Sequence, residues 1–140
     1  MIFELKPIGF VKNNVDNRSD MGISGVKSTV EINAEFSLAL DSIEENSHII
    51  VCCFLHHARR DTLKVHPRKS NIYSPSEKGV FATRSPDRPN PISISVVKLL
   101  ERQENVLIVE GLDVVNNTPV IDIKSYIPEN KVLLAETSPR

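Results

Sequence analysis

Residues 26 to 33 alternate strictly, with Val26, Ser28, Val30 and Ile32 on one parity and Lys27, Thr29, Glu31 and Asn33 on the other. Successive side chains of a strand point to opposite faces, so this segment predicts a half-buried strand. Ser47 to Leu55, SHIIVCCFL, is apolar at both parities and rich in β-branched residues, which predicts a central strand. Ile92 to Leu99 alternates again, and by the same rule Ile92, Ile94 and Val96 form its apolar face. Val106 to Val109 predicts another strand, and the turn Asn116-Asn117-Thr118-Pro119 leads into one from Val120 to Ile123. An N-terminal strand, Leu63 to Val65, Gly79 to Ala82 and Lys131 to Leu134 bring the total to eight or nine short strands. One helix is expected, from about Phe36 to Ile43. Many short strands with turn residues between them favour an all-β, closed or nearly closed barrel, with a two-sheet sandwich as the alternative. No linker, repeat or low-complexity stretch divides residues 1–140, so one domain is expected.

Composition adds little until it is resolved along the chain. The 140 residues are 40% hydrophobic and 25% charged, ordinary for a soluble domain, and the net charge is −1. Residues 56 to 90, however, hold eight cations (Arg59, Arg60, Lys64, Arg68, Lys69, Lys78, Arg84, Arg88) against three acids (Asp61, Glu77, Asp87). A basic middle on an otherwise acidic chain fits a face that meets a polyanion or an anionic ligand, and a merely solvated segment is the plainer account. The two cysteines, Cys52 and Cys53, are strand neighbours that point apart, so two free thiols in a reducing cytoplasm are expected. Neither an apolar leader core nor an 18-residue apolar run occurs, so neither export nor a membrane span is expected.

The chemistry concentrates in Arg84-Ser85-Pro86-Asp87-Arg88-Pro89-Asn90-Pro91. Three prolines fix φ and remove backbone donors, and the residues before them are pushed to extended geometry. The resulting loop would hold Arg84, Arg88 and Asn90 ready for a carboxylate, phosphate or ribose, or would simply be a stiff edge with solvated arginines. His56 and His57 fall where the buried strand meets basic sequence, either lining a pocket mouth or bonded to backbone at the strand end. No Cys/His spacing matches a structural zinc site, so no metal is expected. Asp113 and Asp122 sit between apolar neighbours, where an acid needs a partner. The chain has no glycine-rich dinucleotide fingerprint, P-loop or nucleophile motif.

Gly79-Val80-Phe81-Ala82-Thr83-Arg84-Ser85-Pro86, followed by Arg88-Pro89-Asn90-Pro91-Ile92, closely resembles the signature of the TrmO family, also called TsaA-like or YaeB-like. Pro7-Ile8-Gly9, the strand from Ser47 to His56, Leu112-Asp113, and Thr118 to Lys124 follow in the family's order, so the match spans roughly Pro7 to Pro128. Departures are the Ser24-Gly25 loop in place of Arg-Gln-Pro-Gly, Ser93 for the usual Gly, Asn116-Asn117 for Asp-Gly, and Ser125 for Pro. Asn-Asn can still supply a turn with positive φ.

The resemblance implies an S-adenosylmethionine-dependent tRNA methyltransferase on a β-barrel, working as a homodimer. Its acceptor would be the exocyclic amine of threonylcarbamoyl-adenosine beside the anticodon. By matching position, cofactor contacts would fall at His56, His57, Arg84, Ile94 and Gly111, Leu112 and Asp113, with Ser24 and Gly25 as a further contact. Asp113 would accept bonds from the cofactor's hydroxyls or ammonium, and Arg84 would hold the cofactor's carboxylate or position the modified base, which bears its own threonyl carboxylate. Arg88 and Asn90, with Arg59, Arg60 and Lys64, would meet the anticodon loop, whose unpaired bases can splay into a pocket. No general base is assigned. A cofactor-sensing barrel without transferase activity and a methyltransferase acting on a small metabolite are the rival readings.

Overall fold

The computed structural model describes residues 1–69, 72–73 and 76–127. Six strands close into an antiparallel barrel: β1 (Gly9–Lys12), β2 (Val26–Ile32), β3 (His48–Phe54), β8 (Ile92–Gln103), β9 (Val106–Leu112) and β10 (Pro119–Ser125). Their order around the barrel is β1-β10-β3-β8-β9-β2, and β1 pairs with β2 to close it. Between β3 and β8 the chain makes an excursion of two small ribbons, β4 (Lys64–Val65) with β7 (Lys78–Gly79) and β5 (Arg68–Lys69) with β6 (Ile72–Tyr73).

Closure abolishes sheet edges, and the interior is filled by one parity of each strand. Val11, Val30, Ile32, Ile49, Val51, Cys53, Val97, Leu107, Val109, Leu112 and Val120 form this core, with Leu40 added from one end and Val114 from the other. Fully burying each such aliphatic side chain is worth about 1.5–3 kcal/mol, so this cluster is the main source of stability. Burial pushes the Cys53 thiol up to about 12, which leaves it an inert core side chain.

Most expected strands are present, and the pattern of β2 falls as predicted, with Ser28, Val30 and Ile32 buried. Three expectations are corrected. The segment read as a helix is a seven-residue 3-10 stretch, Ala34–Leu40, followed by a second turn, Ile43–Glu45. Ser42 between them sits at φ 68, which stops any continuous helix. Residues 79–82 are a strand only at Gly79; Val80–Ala82 is a 3-10 turn. Finally, Ile92, Ile94 and Val96 point outward, 38%, 55% and 47% exposed, while Ser93, Ser95 and Val97 point in. The strand expected at Lys131 to Leu134 lies outside the described residues. Asn117 takes φ 67, supplying the positive-φ turn expected before β10.

Candidate small-molecule site at one end of the barrel

Two loops are bound into one rigid wall where β3 ends and β8 begins. Arg88 spends its guanidinium inside the proline-rich loop: Nε donates to the Ser85 carbonyl at 2.7 Å, and Nη2 to the carbonyls of Val80 and Thr83 at 3.0 and 2.7 Å. Prolines remove donors, and a fork of fixed N–H groups satisfies the carbonyls left behind. Arg60 ties the neighbouring loop to it, donating to the Pro89 carbonyl at 2.8 Å and to Asn90 Oδ1 at 2.9 Å. Asp87 joins three segments, accepting from Arg18 at 3.0 and 3.2 Å and from the Arg59 backbone N–H at 2.9 Å. The Arg18 guanidinium holds the Asp87 carboxyl below the usual carboxylate range, against burial, with the Arg59 N–H and charge assisting.

The opposite wall is the turn from residue 113 to 118. Three polar side chains are buried among the described residues, Ser28, Ser95 and Thr118, and each hydroxyl serves this turn. Ser95 Oγ donates to Asp113 Oδ1 at 2.9 Å. Thr118 Oγ1 donates to the Val115 carbonyl at 2.6 Å. Ser28 Oγ accepts from Asn13 Nδ2 at 3.1 Å, and the same amide donates to the Val114 carbonyl at 2.9 Å. Buried hydroxyls must be paired, so the interior here is specified by the shape of one turn. Register explains Asp113: continuing the ladder that pairs Lys98 with Glu110 sets it opposite Ser95. Gly25 and Gly111, at φ 72 and 95, cross backbone to backbone beside it, and a Cβ on Gly25 would fall 2.6 Å from the Gly111 carbonyl carbon.

Between these walls lies a cavity of about 450 Å³, lined by Asp16, Asn17, Arg18, Leu55, His56, His57, Ala58, Pro86, Asp113, Val114, Val115 and Thr118. The two histidines sit just past β3 in a turn closed by the Ala58 N–H bonding the Leu55 carbonyl at 3.0 Å. A turn, unlike a strand, lets adjacent side chains converge, and the two rings lie 3.9 Å apart at 40°. Burial and the neighbouring His57 ring both push the His56 imidazole below its usual range.

The residues singled out from sequence therefore divide. His56, His57 and Asp113 line the cavity. Ser24, Gly25, Gly111 and Leu112 form the backbone crossing that leads into Asp113. Arg84 and Ile94 are joined to each other, Arg84 Nη2 donating to the Ile94 carbonyl, but lie on the barrel's outer side and do not line the cavity. Arg59, exposed and paired with Asp61, follows the histidine turn directly. Lys64 sits on the ribbon, 3.9 Å from Glu77. Arg88, Arg60 and Asn90 bond one another's loops, as described above. Ser93 Oγ, where a Gly was the family's usual residue, is buried with no hydrogen-bond partner among the described residues. Sequence reading missed Asp16, Arg18, Val114, Val115 and Thr118. Nothing local marks them, because the barrel's closure of β1 on β10 brings them in.

Fold and site define a class: a small closed barrel with a polar-walled, ligand-sized cavity at one end. A family model described as the tRNA-methyltransferase O N-terminal domain matches residues 12–131, and the chain belongs to that family. It is 44% identical over 130 residues to a probable S-adenosyl-L-methionine-binding protein of Pyrococcus abyssi, covering 89% of this chain and 68% of the relative. It is 43% identical over 129 residues to an S-adenosyl-L-methionine-binding protein of Archaeoglobus fulgidus, covering 89% and 90%. The crystal structure of TrmO from Pseudomonas aeruginosa superimposes with a TM-score of 0.74 at 29% identity, covering all of this chain and 61% of that one. The chain thus spans about three-fifths of the solved TrmO protein.

Proposed function

We propose that this chain is an S-adenosylmethionine-dependent methyltransferase that acts on the exocyclic amine of threonylcarbamoyl-adenosine in the tRNA anticodon loop. The observation that carries the reading is the cavity wall built by Ser95, Ser28 and Thr118 around Asp113, in a chain whose relatives are named as binders of S-adenosylmethionine.

The residues present fit that cofactor. A cavity of about 450 Å³ suits a ligand of its size. Asp16 and Asp113 supply negative charge for a sulfonium or ammonium and acceptors for hydroxyls, while Leu55, Val114 and Val115 offer apolar surface to a base. When bound, the cofactor supplies an activated methyl group. Transfer by in-line displacement asks the protein chiefly for orientation. Asp113, fixed by Ser95, holds one end in place. His56, held below its usual range by burial and the His57 ring, presents an uncharged ring face instead of a repelling cation. Arg59, exposed beside the histidine turn, and Lys64 would take phosphates of the anticodon loop, contacts that position RNA without reading it. Arg60, Arg88 and Asn90 support the same surface from within.

The dimer is proposed on the outer face of β3 and β8. There Ile92, Ile94 and Val96 stand opposite Phe54, Cys52 and Ile50 in an apolar ladder. A twofold axis through such a ladder would cover it with its own copy. Arg84 and Ile94 then meet the cofactor only through the dimer, so affinity for cofactor and association should fall together in Ile94→Asp.

The deciding assay incubates the protein with methyl-labelled cofactor and tRNA carrying or lacking the threonylcarbamoyl group. Label on the modified tRNA alone is the expected result. Cofactor binding without transfer to any tRNA would leave a sensor, and transfer to a small metabolite would replace the substrate.

A further inference from the structure

Arg18 belongs to none of the segments that carry the family resemblance, yet it lines the cavity, and it is the one lysine or arginine among the described residues that do so. Its guanidinium is already oriented. Both Asp87 oxygens take it end-on at 3.0 and 3.2 Å, and Asp87 is fixed by the Arg59 N–H behind it. The loop beneath is held as well: Asn13 Oδ1 accepts the Val15 N–H at 2.9 Å, and the Asn116 N–H bonds the Val15 carbonyl at 2.7 Å. The clasp is asymmetric, with the Asp87 side chain 20% exposed and the Arg18 side chain 54%. A guanidinium carries five N–H donors, and only two are spent on Asp87. The other donors are spent on nothing else among the described residues and can take a second carboxylate at little further entropic cost, because the fork is already immobilised.

The charges that share the cavity narrow the ligand chemistry. Asp16 and Asp113 line it together with Arg18. One held cation among carboxylates complements a zwitterion, a group with carboxylate and ammonium on the same carbon. We infer that Arg18 is the carboxylate anchor of an α-amino-acid subsite in this cavity, with Asp113 or Asp16 taking the ammonium. This rests on the proposal that the cavity holds S-adenosylmethionine, and it assigns the methionyl end of that molecule to the Arg18 side.

The test is a cycle of protein variant against truncated ligand, read by titration calorimetry on the full chain. The ligands are S-adenosylmethionine and its decarboxylated analogue, which keeps the sulfonium and the ammonium. The unsubstituted protein should prefer the carboxylated ligand by about tenfold or more, the worth of a charge-assisted hydrogen bond. Arg18→Met should erase that preference, weakening S-adenosylmethionine about tenfold while moving the analogue less than about twofold. Arg18→Lys should keep part of it. Asp87→Asn should weaken S-adenosylmethionine modestly and the analogue less, since it loosens the clasp without removing the cation. Equal loss of both ligands in Arg18→Met would overturn the inference and leave a purely structural clasp; so would an unchanged preference. Failure of the unsubstituted protein to bind either ligand would instead overturn the cofactor reading, and this subsite with it.

Discussion

The barrel has a cavity at each end, and the two are nearly equal in size, about 450 and 460 Å³. Their walls differ in kind. The end already described gathers a histidine pair, a clasped arginine and a turn held by three buried hydroxyls. The opposite end is a groove of Ile8, Ile32, Phe36, Ala39, Leu40, Ile43, Ile49 and Ile123 with Asp41, Glu45, Asp122 and Lys124 on its lining. Its polar bonds serve the chain itself: Arg102 donates to the Leu40 carbonyl at 3.0 Å and pairs with Glu44, and Asp122 pairs with Lys124 at 3.1 Å. Volume alone does not distinguish a site. An interior hydroxyl spent on one exposed carboxylate, with two more holding the turn beside it, does, because apolar residues there would leave the same barrel equally closed.

The largest effect should come from what both ends share. Leu107 is fully buried between them. Leu107→Ala should cost about 2–5 kcal/mol and lower the melting temperature by roughly 10 °C in a calorimetric scan. Ligand affinity of the molecules that remain folded should hardly change. Next in size is a matched pair of carboxylates. Asp113→Asn should weaken S-adenosylmethionine about 10- to 150-fold, the loss of a charged partner worth about 1.5–3 kcal/mol. Asp122→Asn, at the other end, should change affinity less than about twofold. Equal effects in the two variants would dissolve the distinction between the ends.

That distinction was only partly legible in the sequence. β2 could be read outright, because Lys27 and Glu31 must face water and so fix which parity is inside. β8 could not. Ile92, Ile94 and Val96 outrank Ser93 and Ser95 in hydrophobicity, and periodicity assigns the richer face to the core. The serines go inward because Ser95 meets Asp113, a partner 18 residues away, and the strand's alternation then takes Ser93 inward with it. The short 3-10 stretch Ala34–Leu40 looked helical because its apolar spacing suits a helix, but seven residues barely exceed the nucleus an α-helix requires. Of the site, His56, His57 and Asp113 were found and Arg18 was not. An arginine in a turn carries no local signal; its meaning comes from Asp87, 69 positions on. The stiffness of the proline-rich loop was read from composition, yet the bonds of Arg88 turn inward to three carbonyls of that loop.

A smaller effect tests whether the buried hydroxyls matter through Asp113. Ser95→Ala removes one hydrogen bond of about 1 kcal/mol, so cofactor affinity should drop about fivefold. In Asp113→Asn the same serine substitution should cost much less than it does in the unsubstituted protein, since the two residues act as one unit. Full additivity would show that Ser95 supports the barrel and not the carboxylate.

The smallest effect concerns protons, and it separates the two acid-sensitive parts of one end. His56 in the folded chain titrates below the ordinary histidine value of about 6.5, because burial and the His57 ring oppose its charge. The unfolded chain therefore takes up this proton first as pH falls. Stability from this source is intact above about pH 6.5, declines as pH drops below it, and stops declining once His56 itself protonates. Asp87 behaves in the other window: its clasp to Arg18 contributes fully above about pH 4 and is lost as pH falls through the lower folded value. A proton NMR titration should show the His56 ring midpoint below 6.5, and His57→Ala should move it upward by removing the repelling neighbour. Cofactor affinity should weaken over that same histidine range, since a protonated ring would face a cationic ligand, and should do so while the Asp87 clasp is still intact. A midpoint unmoved by His57→Ala would mean that the 3.9 Å ring contact does not couple the pair, and the acid response would then have to come from elsewhere in the wall.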